Sequence, residues 1–279
     1  MKGHLLAAVC LTLTALLLSC HSAPTRKTPS NPVAVLGAFT PEVELLEKML
    51  TDAGKREIEG IEFMSGRLGS QPIVLAWTGV GKVNAAMTTT LLLEHFKPAH
   101  VLFTGIAGAV EPNLEPGDIV VATRTAYHDM GTLGPNGIEP GGVRNRLTGE
   151  DNPVFFPADP NLLKAAQCAA RKAAFDPVVL RSGQRPPKVV VGTIVTGDSF
   201  VASKAKSAEL RATFGAQAVE MEGAAVAQVC YQRRIGCLVI RSMSDKADES
   251  AVVDKQLFYT LAAKNSASLV AGIVGCLGP

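Results

Sequence analysis

The sequence predicts an α/β fold, a three-layer α/β/α domain with a mixed central sheet. Two observations carry that reading. Short apolar runs alternate along the chain with stretches whose apolar residues recur every three or four positions. Several of the runs also end in a glycine-containing turn, as buried strands do when they enter tight loops. No internal repeat and no second domain is evident.

The elements follow in order. Val33–Leu36 is an apolar run ending at Gly37 and suits a buried strand. Pro41 then stands where a first helical position belongs, and Val43, Leu46, Met49 and Leu50 recur at helical spacing. Ile58–Phe63 and Pro72–Trp77 read as strands. Thr78-Gly-Val-Gly-Lys82 turns into a helix carrying Val83, Met87 and Leu91. His100–Phe103 is a strand that enters the glycine-rich loop Thr104-Gly-Ile-Ala-Gly108. Asp118–Ala122 is a further strand, and residues 128–160 are a loop-rich excursion. Asn161–Ala173 reads as a helix and Asp176–Lys188 as an exposed loop. Lys188–Thr196 is a strong strand, followed by Gly197-Asp-Ser-Phe200. An Ala-rich helix over Glu220–Arg233, a strand over Ile235–Ser242 and a long helix over Val252–Val274 complete the chain.

Composition narrows the function. Of 279 residues, 47% are hydrophobic, which excludes a chain too polar to bury a core. The net charge of +2, from 27 basic and 25 acidic residues, leaves no broad electrostatic footprint for nucleic acid. Aromatic residues make up 5%, with Trp77 the single tryptophan, so base-stacking platforms are not expected either.

The N-terminus reads as an export signal. Lys2 precedes 14 residues, Leu5–Leu18, too few for a straight span, which needs about 20. Leu17-Leu18-Ser19-Cys20 is similar to the lipobox of bacterial lipoproteins, which makes Cys20 the expected lipidation site. The expected divisions are a signal over residues 1–20, a flexible tether over 21–32 and one folded domain over 33–279. The only expected membrane attachment is through that lipid. No Cys/His ligand spacing occurs, so no metal is expected. Apolar surroundings favour buried free thiols at Cys168, Cys230, Cys237 and Cys276, although an exported chain meets conditions that allow disulfides.

Four segments stand at the carboxyl ends of expected strands, where α/β sheets gather ligands. They are Gly37–Glu42, Thr104–Gly108, Ala218–Glu222 and Arg241–Asp245. Each has an ordinary reading alone: a turn, a charge at a helix N-terminus for Glu42, a cap for Asp245. Lys82 follows a glycine turn, but TGVGK lacks the first glycine and the Ser/Thr of a P-loop, so no ATP site is read.

As an ordered set over about 240 residues the motifs are far more specific than singly. Glu220-Met-Glu222, Ser244-Asp245, the Gly37-Ala…Glu42-Val segment, TGxGK, TGxAG, Gly117–Val121 and Tyr127-His-Asp129 resemble the nucleoside phosphorylase/nucleosidase superfamily. The likeness is strongest to its 5′-methylthioadenosine/S-adenosylhomocysteine nucleosidases. The resemblance implies a nucleoside phosphorylase-like fold and hydrolysis of the N-glycosidic bond of methylthioadenosine, S-adenosylhomocysteine or 5′-deoxyadenosine, releasing adenine. No cofactor is implied; the partners are a small nucleoside and water.

The chemistry requires an acid at adenine N7, carboxylates near the oxocarbenium-like sugar and a base for water. By resemblance, Asp245 is the acid, held by Ser244, and Glu42 the base, with Arg241 beside them. Glu222 is expected to bind the ribose hydroxyls, with Met221 beneath the sugar. Phe200 and Val201 match the residues that stack on adenine and bond it through main chain. Glu220, Val80 and Ile106 are further expected contacts, although Glu220 also has a structural reading. Tyr127 and the loop after it are similar to the segment lent to a neighbouring subunit, which implies a homodimer. Phosphorylases of this superfamily hold phosphate with arginines, and neither Val33–Thr40 nor Val101–Phe103 contains one. Hydrolysis is therefore favoured over phosphorolysis. A phosphorylase or a futalosine-type hydrolase of the same fold, and a non-catalytic nucleoside-binding or storage lipoprotein, stand as alternatives. ESAVVDKQLF, after Asp248, lacks a clear match for the aromatic residue that closes over substrate in relatives.

Overall fold

The computed structural model describes residues 31–135, 137–180 and 183–278. The signal segment, Cys20 and most of the tether lie outside them. In chain order the elements are β1 (Val33–Gly37), α1 (Thr40–Met49), β2 (Thr51–Ile58), β3 (Ile61–Leu68), β4 (Gln71–Trp77), α2 (Lys82–Phe96), β5 (His100–Phe103) and β6 (Ile106–Ala109). Then come β7 (Ile119–Tyr127), β8 (Gly131–Gly134), β9 (Gly137–Pro140), β10 (Phe155–Pro157), α3 (Pro160–Ala170), β11 (Val178–Leu180), β12 (Gly183–Arg185) and β13 (Val189–Thr196). Last are α4 (Lys204–Phe214), β14 (Ala216–Glu220), α5 (Gly223–Gln232), β15 (Gly236–Asp245) and α6 (Ala251–Cys276).

The main sheet is mixed, in the order β10-β7-β13-β14-β6-β15-β5-β1-β4-β3-β2. Its interior strand β1 is buried on both faces, which is why it reads as a continuous apolar run. Val33 and Val35 point into a core shared with Leu46 of α1, Leu162 of α3 and Leu269 of α6. Ala34 and Leu36 point the other way, against Leu92 of α2 and Val226 of α5. These are the three expected layers. At one end β7 pairs back onto β15, so β7, β13, β14, β6 and β15 close into a small barrel. β15 divides its partners: Gly236–Val239 runs parallel to β5, while Ser242–Asp245 runs parallel to β6. That handover puts Ser244 and Asp245 at the barrel rim.

Several expectations are corrected. The strand expected at Ile58–Phe63 is broken by a hairpin turn between the end of β2 and the start of β3: Glu59 and Gly60 both take positive φ (50° and 78°), which suits tight reversal. The glycine-rich loop at Thr104–Gly108 contains strand β6. The helix expected from Glu220 begins at Gly223, because the Glu220 carboxylate ends β14 and accepts the amides of Glu222 and Gly223. The expected loop over Asp176–Lys188 contains the antiparallel pair β11 and β12, and Arg185 of β12 clamps the buried Asp118 at 2.7 and 3.0 Å. α4 and β14 arise where no element was expected. Cys168 and Cys276 are joined in a disulfide linking α3 to α6, whereas Cys230 and Cys237 are free and buried. The bonded pair met one criterion spacing cannot reveal: their Cα atoms stand 6.3 Å apart.

Candidate active site

A cavity of about 240 Å³ opens where β14 and β15 end and β6 begins. Glu42, Glu222, Ser244 and Asp245 line it, three carboxylates from segments far apart in sequence. Small residues and apolar side chains, including Val80, Ile106, Met221 and Phe200, form the rest of the wall.

Glu42 sits in the first turn of α1 and is 1% exposed. Its Oε2 accepts the amides of Ala38 at 2.6 Å and Phe39 at 3.1 Å, and its Oε1 accepts the Ile106 amide at 3.2 Å. The acid thus ties the start of α1 to β6 while facing the cavity. Burial pushes its pKa up; the Arg241 charge and the three amides pull in the opposite direction.

Asp245 is 1% exposed at the end of β15. Ser244 Oγ donates to Oδ2 at 2.7 Å, and the Ala247 amide donates to Oδ1 at 2.8 Å. Burial raises its pKa despite these donors. A β-carbon at Gly108 would stand 2.8 Å from Asp245 Oδ1, so the second glycine of TGxAG makes room for this acid.

Glu222 precedes α5 and accepts the Gly81 amide on Oε1 at 2.9 Å. The TGVGK turn therefore reaches the site through backbone. Burial first, then the neighbouring Glu220 charge, lifts the Glu222 pKa to about 7. Lys82 of the same turn takes no part: its ammonium contacts Asp129 at 2.7 Å and Asp198 at 3.5 Å.

Arg241 is fully buried and does not line the cavity. It lies beneath it, donating to Glu220 and, at 3.5 Å, to Glu222. It also donates to the Thr104 carbonyl at 3.1 Å and stacks 4.1 Å from the Phe103 ring centroid. Burial opposes its charge, and Glu220, Glu222 and Glu42 outweigh that effect and hold it protonated. Glu220 borders the cavity, but both its oxygens are occupied by Thr196, Arg241 and the amides of Glu222 and Gly223. Its structural reading is the one the geometry favours.

Phe200 stands over the cavity, and Val201 lies in a small recess beside it with Met221 and Asp245. Ile106 contributes its side chain to the wall and its amide to Glu42. Tyr127 does not line this cavity. It is 8% exposed, its hydroxyl donates to Gln228 at 2.8 Å and its ring packs on Phe156. Within its own chain, then, the ring packs beside Phe156 rather than in this cavity.

Sequence reasoning missed the outer wall. Phe39, Val252, Lys255, Gln256 and Tyr259, with Phe200, line a second cavity of about 660 Å³ adjoining the first. Positions 252, 255, 256 and 259 form one stripe at helical spacing on α6, the signal that was available. Phe258, the nearby phenylalanine of the segment, lines neither cavity.

Chemically, the cavity pairs a buried acid on one wall with a carboxylate held by amides on another. Burial raises both pKa values, and the hydrogen bonds differ: Glu42 accepts three amides, Asp245 one amide and the Ser244 hydroxyl.

Known proteins resemble the chain over most of its length. Residues 32–275 match the family model described as the phosphorylase superfamily. The chain is 38% identical over 246 residues to the 5′-methylthioadenosine/S-adenosylhomocysteine nucleosidase of Psychromonas ingrahamii, covering 88% of this chain and 99% of that one. It is 35% identical over 241 residues to the aminodeoxyfutalosine nucleosidase of Campylobacter jejuni, covering 85% and 96%. A crystal structure of the Neisseria meningitidis 5′-methylthioadenosine/S-adenosylhomocysteine nucleosidase in complex with methylthio-immucillin-A superposes with a TM-score of 0.76 at 38% identity, covering 88% and 98%.

Proposed function

The chain belongs to the phosphorylase superfamily and, within it, to the 5′-methylthioadenosine/S-adenosylhomocysteine nucleosidases, and from that premise we propose how its site cleaves a 5′-modified adenine nucleoside. The enzyme is an N-glycosyl hydrolase. The observation that carries the reading is the convergence of Glu42, Glu222 and Asp245 on one cavity.

Asp245 gives its proton to adenine N7 as the C1′–N9 bond breaks, so the base departs neutral. Burial raises its pKa, the direction that favours holding the proton an acid must give. Ser244 holds that carboxyl in one orientation. Glu222 accepts the ribose hydroxyls and, with Glu42, faces the positive charge that develops on the sugar. Glu42 takes a proton from the attacking water, whose oxygen forms the new bond to C1′. Phe200 stacks on adenine, Val201 offers backbone beside it, and Met221 supports the sugar. Arg241 acts from below, keeping the buried carboxylates from repelling one another out of position.

The basic groups favour water over phosphate as nucleophile. Among the described residues that line the inner cavity, Lys255 at its mouth is the one basic side chain. Phosphate would meet Glu42 with no arginine free to hold it.

A homodimer is part of the same proposal. Val83 (78% exposed) and Met87 (50% exposed) present apolar surface on α2, which a second copy would cover. Export and lipidation at Cys20 are also proposed, and the Cys168–Cys276 disulfide suits an oxidising compartment.

The test is a panel of adenine nucleosides, including methylthioadenosine, S-adenosylhomocysteine and aminodeoxyfutalosine, given to the purified chain with adenine measured. Release from at least one member is expected. Binding without any release would leave a nucleoside-binding protein instead.

A further inference from the structure

We propose that Lys255 makes this site selective for nucleosides whose 5′ substituent ends in a carboxylate. The proposal rests on the nucleosidase reading and extends it to the outer cavity.

Lys255 lies on the first turns of α6 and borders both cavities. Its ammonium stands 5.4 Å from the centroid of the Phe39 ring and 5.2 Å from that of Phe200. Two ring faces therefore fix the charge at the junction between the inner and outer cavities. It forms no salt bridge among the described residues. It is partly buried and shares the wall of the inner cavity with Asp245.

The outer cavity around it is mostly apolar. Phe39, Phe200, Val252 and Tyr259 make the walls, with Tyr259 edge-on to Phe39 at 5.9 Å. A substituent leaving C5′ thus meets hydrocarbon first and a fixed cation beside it. The complementary chemistry is an apolar chain ending in an anion. S-adenosylhomocysteine carries a carboxylate, beside an α-ammonium, at the end of a thioether chain; methylthioadenosine carries only a methyl group. A short neutral substituent leaves the ammonium unpaired, whereas a terminal carboxylate pairs with it in a half-buried setting. Such a pair is worth about a fivefold preference.

The experiment compares two probes, adenosines bearing the same 5′-thioether chain ended by a carboxylate or by the matching carboxamide. Shape and length are then constant, and only the charge differs. In the unaltered enzyme kcat/KM should favour the carboxylate by about fivefold at low salt, and the ratio should fall toward one as ionic strength rises. Lys255→Met keeps the chain length and should bring the ratio to one; Lys255→Arg should retain it. A ratio of one in the unaltered enzyme at low salt, or an undiminished ratio in Lys255→Met, overturns the proposal. If methylthioadenosine is cleaved while neither probe is, the outer cavity does not admit such chains, and the Lys255 proposal fails alone. If no nucleoside releases adenine, the hydrolase reading fails and takes this one with it.

Discussion

Arg241 packs against Gly105 so closely that a β-carbon on the glycine would stand 1.7 Å from Nη1. The same β-carbon would lie 3.0 Å from Glu42 Oε1. A glycine in the TGxAG turn is thus a condition for the buried guanidinium that sits below three carboxylates. Gly105→Ala should displace Arg241 and leave Glu220 and Glu222 without their counter-charge. Breaking a buried pair typically costs about 3–5 kcal/mol. Urea denaturation should show a loss of that order, together with loss of adenine release. A variant of unchanged stability would mean that Arg241 has another place to go.

Asp245→Asn keeps the shape of the residue but removes the proton that the leaving base needs. Turnover should fall by about 100-fold or more, while an adenine nucleoside still binds. Calorimetric titration alongside an adenine assay separates the two. Near-full activity in this variant would remove Asp245 from the role of acid.

Glu222 ties stability to pH. Its pKa is near 7 in the fold, against 4.5 for an ordinary glutamate. A raised carboxyl pKa means that the fold prefers the protonated form. That contribution is fully present below the unfolded value of 4.5 and is lost as pH rises through 7. Its size is on the order of 3 kcal/mol. Glu222→Gln, which cannot ionise, should gain stability relative to the parent between about pH 4 and about pH 8 by an amount of that order. Ligand-free protein unfolded in urea at both pH values supplies the comparison. A gap that does not change with pH would contradict the assignment.

The Cys168–Cys276 bond closes a loop of 108 residues between α3 and α6. Chain entropy gives such a cross-link up to about 4–5 kcal/mol. Reductant should lower the urea midpoint of the parent but leave that of a Cys168→Ala variant unmoved. Adenine release at temperatures well below melting should persist in both, since the bond lies at the far end of α6 from Lys255. Identical midpoints for oxidised and reduced parent would show that the bond contributes nothing.

Much of the site was legible because its residues sit where β-strands end. Glu42, Glu222, Ser244 and Asp245 were readable as an ordered set from sequence, and the fold brings them to one cavity. The strands that complete the barrel were less visible. β6 reads IAGA and β14 reads AQAVE, so small residues replace the apolar run that marks a strand. α4 carries lysines and an arginine on a largely solvated helix, with a weak apolar stripe of Leu210 and Phe214. The role of Glu220 depended on which donors surround it, and the burial of Tyr127 on Gln228 and Phe156, neither of which spacing discloses. The disulfide joins cysteines too far apart in sequence for spacing to pair them. The outer wall on α6 was written in the sequence as Val252, Lys255, Gln256 and Tyr259 at helical intervals, but only the position of Phe39 and Phe200 makes that stripe a wall.

The proposed role of Glu42 is to direct water, not phosphate, onto the sugar. The most direct measurement is the identity of the sugar released from methylthioadenosine in phosphate buffer, by the parent and by Glu42→Gln. Free methylthioribose with no phosphate consumed, and its loss in Glu42→Gln, is the predicted result. A sugar 1-phosphate formed in proportion to adenine would contradict it.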